Sequence, residues 1–141
     1  MINGGRLLLA IAAFALMACS SGVASKIKEL NDVSDLSEVS SQPLSYSGKI
    51  FQGYVYLYVG EGYYGLFPTS VTDEAQVDSF TVHYLIGENG PSLDALKKFK
   101  SGQRLLVRGR LMPDRACFTG DTCAPWPHPV SIDDLKILKS D

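Results

Sequence analysis

The chain has 141 residues, 45% of them hydrophobic and 20% charged, with 13 Lys and Arg against 15 Asp and Glu for a net charge of −2. That length and apolar share suit one domain with its own core. The mildly acidic balance argues against a nucleic-acid partner, whose binding rests on phosphate neutralisation and leaves a basic footprint. The sequence carries no repeat, no long run of one sign of charge and no apolar stretch long enough for a mature spanning helix.

The first element in chain order is a secretory signal over residues 1–18. Arg6 precedes the apolar run LLLAIAAFAL, which is shorter than the roughly 20 residues a spanning helix needs and reads as a leader removed before folding. The junction Leu16-Met17-Ala18-Cys19, followed by Ser20, resembles the lipobox of bacterial lipoproteins. Leu16, Ala18 and Cys19 fit that pattern, and Met17 is a less usual occupant. The resemblance implies that Cys19 is lipidated, becomes the first residue of the mature chain and holds it to a membrane. Ser20, where inner-membrane proteins carry Asp, implies the periplasmic face of the outer membrane in a Gram-negative host. The alternative is an ordinary signal peptide with a chance cysteine.

From Cys19 onward 123 residues remain, and loss of Arg6 brings the net charge near −3. Residues 19–43 are rich in serine with alternating charge and no aromatic residue, as expected of a lipidated N-terminus and tether. Ile27, Leu30, Val33 and Leu36 recur every three residues, so a short local helix is expected between Lys26 and Val39, ended by Pro43.

Residues 44–141 form the expected folded domain. KIFQGYVYLYVG alternates and is rich in β-branched and aromatic residues, YYGLF is a second short strand, and SFTVHYLI alternates again with Phe80, Val82, Tyr84 and Ile86 on one face. Ser92 is the expected N-cap of a short helix with Leu93, Leu96 and Phe99 at helical spacing and Gly102 beyond its end. QRLLVRGRLM and VSIDDLKIL supply two more strands, for an order β-β-β-α-β-β and an all-β class. That order, Gly53 within a long first strand and the stretch FKSGQRLLVRGRLMP resemble the small bacterial lipoproteins of the OB-fold family named for its likeness to tRNA anticodon-binding domains. The resemblance implies a five-stranded Greek-key barrel over about residues 44 to 140, with Gly53 at the bend of the first strand. An SH3-like barrel and a split sandwich are the alternatives.

OB-folds bind on the face of strands two and three, flanked by the loops after strands one and four. The latter loop, Pro113 to Pro129, contains CFTGDTCAPWPHP. In an exported chain Cys117 and Cys123 are expected to form a disulfide, worth about 2 to 3 kcal/mol in the chain-entropy model; their spacing does not suit a zinc knuckle. Trp126, held between Pro125 and Pro127, is either a rigid binding anchor or a plug over the open end of the barrel. Tyr54, Tyr56 and Tyr58 alternate with aliphatic residues and line the outer surface if those face the core, and Tyr63 and Tyr64 extend that surface. Arg108 and Arg110 share a parity with Arg104, a basic row that either is solvated or meets anionic groups, with Asp133 and Asp134 near enough to neutralise part of it. His83 reads as an exposed strand residue.

Nothing in the sequence arranges a nucleophile, paired acids, a metal set or a phosphate-cradling loop, so no enzyme, cofactor or metal is expected. The sequence points to a noncatalytic, lipid-anchored envelope module that contacts a protein or envelope polymer through an aromatic surface. The alternatives are single-stranded oligonucleotide binding and a structural spacer in an envelope complex.

Overall fold

The computed structural model describes residues 32–60, 63–120 and 128–141; the expected leader, Cys19, Cys123 and Trp126 lie outside them. Five strands, β1 (Ile50–Gly60), β2 (Tyr63–Phe67), β3 (Val82–Ile86), β4 (Arg104–Pro113) and β5 (His128–Ser140), close into a barrel. Four short helices accompany them: α1 (Leu36–Ser41), α2 (Glu74–Asp78), α3 (Leu93–Leu96) and α4 (Arg115–Thr119). The strand order is β1-β2-β3-β5-β4, returning to β1, with β3 and β5 parallel and the other pairs antiparallel. This is an all-β, OB-fold-like barrel; the five expected strands follow one another along the chain with α3 between β3 and β4, and α2 and α4 are additional to the expected order.

Closure depends on β1 pairing along both edges. Its first part pairs with β4 from Ile50↔Arg110 to Tyr56↔Arg104, and its last part with β2 from Tyr56↔Phe67 to Gly60↔Tyr63. The changeover falls at Tyr56, three residues beyond Gly53. Gly53 answers a different constraint: a Cβ there would lie 2.2 Å from the Ser34 carbonyl oxygen. Only a residue without a side chain lets the N-terminal segment cross so close.

That segment corrects the expected tether. The compact unit begins at Asp32 rather than residue 44. Asp32–Val33 forms a two-residue strand parallel to Ile50–Phe51, and α1 follows with Asp35 accepting at its N-cap from Ser37 N–H at 2.8 Å. Val33, Leu36 and Val39 enter the barrel core beside Phe51, Leu111 and Ile132. Their three-residue spacing is therefore resolved as strand then helix, with burial outweighing a serine-rich composition that weakly favours any regular structure.

Tyr84 fastens this plug. It is fully buried, and its hydroxyl donates to the Leu36 carbonyl at 2.7 Å with Ser40 Oγ 2.8 Å away. Burial pushes its hydroxyl up to about 12, with the Ser40 hydrogen bond opposing. Ser92 caps α3 as expected, accepting from Ala95 N–H at 3.2 Å. Leu96 alone of the expected apolar stripe is fully buried; Phe99 packs on the core from its rim and Leu93 is exposed. Tyr84→Phe removes a donor from a buried carbonyl while keeping the ring, so it should lower stability by about 1 to 2 kcal/mol, read from the urea midpoint.

Candidate functional site

A closed barrel buries one side of each strand and leaves the other facing out. On this barrel the outer side has an exposed part on β1 and β4 and a covered part on β1 to β3.

The exposed half spans the start of β1 and the facing part of β4. Tyr54 is 41% exposed and Tyr56 half-buried, as the alternation with Val55 and Leu57 predicts. Arg104 stacks its guanidinium 4.2 Å from the Tyr54 ring centroid, and its Nε donates to Asp141 at 2.8 Å. The Arg104 hydrogen bond holds the Asp141 carboxyl below the usual carboxylate range. Arg108 donates to Gln52 Oε1 at 2.8 Å, and Arg110 reaches Asp134 at 3.9 Å. The three arginines share the outer side of β4 as expected, each engaged with a neighbour. Asp134 sits at φ 53° beside a register shift between β4 and β5. That irregularity brings an acidic side chain to the row without breaking the barrel.

The covered half departs from expectation. Tyr58 and His83 have the outward parity assigned to them, yet they are only 7% and 5% exposed. Residues 68–81, the connection from β2 to β3, fold back over this side and build a second apolar cluster from Tyr58, Phe67, Val71 and Val77, with Tyr63 and Phe80 packed against it. Phe80 belongs to this cluster and leaves the face of Val82, Tyr84 and Ile86. Ring contacts tie the cluster together: Phe67 to Phe80 at 4.9 Å, Phe67 to His83 at 5.5 Å and Tyr58 to Tyr63 at 6.1 Å between centroids. Gly65 lies opposite Tyr58, and a Cβ there would come within 2.7 Å of Phe67. Its absence leaves room for the rings. The Tyr stripe is thus broken after Tyr56, because an outward side chain is exposed only where no other segment lies on it. Tyr63 and Tyr64 do not share a surface either: neighbours in a strand point oppositely, and Tyr64 packs on the main core while Tyr63 joins the second cluster.

Burial raises the Tyr58 and Tyr63 hydroxyls, Tyr63 to about 12. For Tyr58 the nearby Glu74, Asp73 and Asp78 carboxylates add to the effect of burial.

After β4, Asp114 caps α4 by accepting from Ala116 N–H at 3.0 Å, and Gly120 ends it at φ 84°. The start of the long expected loop is therefore helical. Cys117 is buried and disulfide-bonded; Cys123 and Trp126 are not among the described residues. Phe118 packs its ring 5.3 Å from His128. A shallow groove floored by Phe99 and Ile137 and rimmed by Lys98 and Lys139 is open to solvent. Among the described residues no His, Cys, Asp and Glu side chains gather in a set able to hold a metal, and no helix is long and apolar enough to cross a membrane.

No family model, no curated protein and no solved structure matches this chain. Its surface has to be understood from its own chemistry, and two signals in the sequence bear on the parts that strand alternation missed. Thr72-Asp73-Glu74-Ala75-Gln76 carries a helix start: Asp73 accepts from Gln76 N–H at 2.9 Å and Gln76 Oε1 accepts from Thr72 N–H at 2.8 Å, a close variant of the capping box. Charge is also unequal along the chain, since Lys49 is the one Lys or Arg between Asp32 and Leu96 and nine follow. The covering segment is accordingly acidic and the β4 side basic.

The division of the face has a direct consequence for stability. Phe67→Ala empties a fully buried position in the second cluster and should cost about 3 to 5 kcal/mol. Tyr54→Ala, on the same outer side but exposed, should cost under about 1 kcal/mol. Urea unfolding of the two variants separates the halves.

Proposed function

We propose that the chain is a noncatalytic, lipid-anchored binding module of the bacterial cell envelope, contacting a protein or an envelope polymer through the exposed tyrosine and arginine face of β1 and β4. The observation that carries this reading is the stack of Arg104 on Tyr54, flanked by Tyr56 and by the Arg108–Gln52 pair. A guanidinium lying on a phenol ring and held by a carboxylate presents a flat, preordered surface. Such a surface meets sugar rings, peptide carbonyls and acidic groups at low entropic cost.

Anchoring rests on the lipobox-like Leu16-Met17-Ala18-Cys19, with Ser20 favouring the outer membrane. Lipid chains contribute about 0.8 kcal/mol per buried methylene, so two or more anchor durably. The twelve residues from Ser20 to Asn31 span at most about 40 Å when extended, which keeps the domain near the bilayer surface. Intact mass of the exported chain should show acyl groups on Cys19 and their loss in Cys19→Ser; an unmodified cysteine would refute the anchor.

For the face, capture of envelope components by wild type should weaken severalfold in Tyr54→Ala and in Arg108→Ala, while Leu93→Ala, exposed on α3 and not part of the row, leaves it unchanged. Equal recovery by all four proteins would refute the face. Retardation of single-stranded DNA or RNA at low salt, lost in Arg108→Ala, would instead assign it to oligonucleotide binding.

A further inference from the structure

The covered half of the face is held down around a buried histidine. His83 Nε2 lies 3.0 Å from the Val77 carbonyl oxygen on α2, and its Nδ1 lies 3.0 Å from the Tyr63 hydroxyl on β2. A carbonyl oxygen only accepts, so Nε2 carries the hydrogen, and in the neutral ring Nδ1 then accepts from the Tyr63 hydroxyl. Both contacts are satisfied by one tautomer alone.

A second proton must go to Nδ1, where the Tyr63 hydroxyl already points its own hydrogen. The Tyr63 O–H must rotate so that its oxygen accepts from Nδ1–H, and among the described residues its own hydrogen is then left without an acceptor. A positive charge is also placed in a site that is nearly closed to water. The groups facing this site are few. Among the described residues Asp78 on α2 is the carboxylate that acts on His83, Tyr58 on β1 stands behind Tyr63, and β5 sets Pro129 opposite His83. Burial moves His83 below its ordinary value of 6.5, with the Val77 carbonyl, Asp78 and the Phe80 backbone opposing.

What would yield is the covering segment itself. Its side-chain hydrogen bonds are internal, linking Thr72, Asp73, Gln76 and Ser79. It meets the barrel through Val71, Val77 and Phe80, through the Val77–His83 bond and, at its end, through His128 N–H to the Thr81 carbonyl. Its cluster is separate from the main core, so it can leave without opening the barrel.

We propose that residues 68–81 form a strap that acid releases from the β1–β3 face through protonation of His83, baring Tyr58, Tyr63 and Phe67 beside the exposed Tyr54 and half-buried Tyr56. The sign follows from linkage: the closed form binds the proton more weakly than the open form, so closure has its full stability above about pH 6.5 and loses it as pH falls below that value. Release stands on the strap's geometry; that it enlarges a binding face rests on the function proposed above.

Hydrogen exchange of the full chain, corrected for intrinsic rates, tests this at about pH 7.5 and about pH 5. Peptides within residues 70–81 should lose protection at the lower pH while β4 and β5 keep theirs, and His83→Gln, which does not titrate, should show no such loss. Unchanged protection of the strap, an equal loss in His83→Gln, or simultaneous loss across the barrel would overturn the proposal. If His83→Gln does not fold, titration of the wild type by NMR takes its place: strap amide shifts must follow the midpoint of the His83 ring, and a separate midpoint overturns it. Failure to capture an envelope partner would leave strap release standing, so the two readings fail separately.

Discussion

The first strand has to satisfy two partners. β1 offers one edge to β4 over its first part and the other to β2 over its last, and this exchange turns a row of five strands into a closed wall. Once the wall is closed, inner and outer sides are set for every residue, and the unpaired edges that invite aggregation are removed. The parallel β3–β5 pair completes the circuit. The N-terminal strand and α1 then plug the core with Val33, Leu36 and Val39, which pins the start of the domain to the same strand that closes it.

Closure leaves an outer surface too aromatic to be simply wetted. Tyr58, Tyr63 and Phe67 would together expose a large apolar area, and burying a side chain of that size is worth roughly 1.5 to 3 kcal/mol. The chain covers them with the connection from β2 to β3, at the cost of ordering fourteen residues for a cluster with only four fully buried members. The gain and the ordering cost oppose each other, so the cover is held by less than either term alone suggests.

The two halves of the face are thus built for different behaviour. On β1 and β4 the Tyr54, Arg104 and Arg108 side chains stand on strands paired across the barrel, with rotamers held by stacking, by Asp141 and by Gln52. On β1 to β3 the aromatic side chains are held by a cover rather than by the sheet alone, and a histidine with both nitrogens engaged joins cover to strand. The acidic residues of α2 and the basic row of β4 give the two sides opposite charge.

Much of the architecture was legible along the chain. Alternation in IFQGYVYLYVG, YYGLF, VHYLI and RLLVRGRLMP set the strands and their inward residues, and Ser92 announced α3, because both signals are local and depend on side-chain parity or one cap. The Arg104, Arg108 and Arg110 row was readable for the same reason. Exposure was not: Tyr58 and His83 have outward parity, but their environment is made by Val71, Val77 and Phe80, which approach only after the barrel has closed. Nor did the three-residue spacing of Val33 and Leu36 reveal a plug, since it takes Tyr84, 48 residues beyond Leu36, to tie it down. The sequence by itself determined the five strands, α3 and the side of the sheet on which most strand residues point. Only the tertiary structure decided which outward side chains meet water, because that depends on contacts between segments distant in the chain.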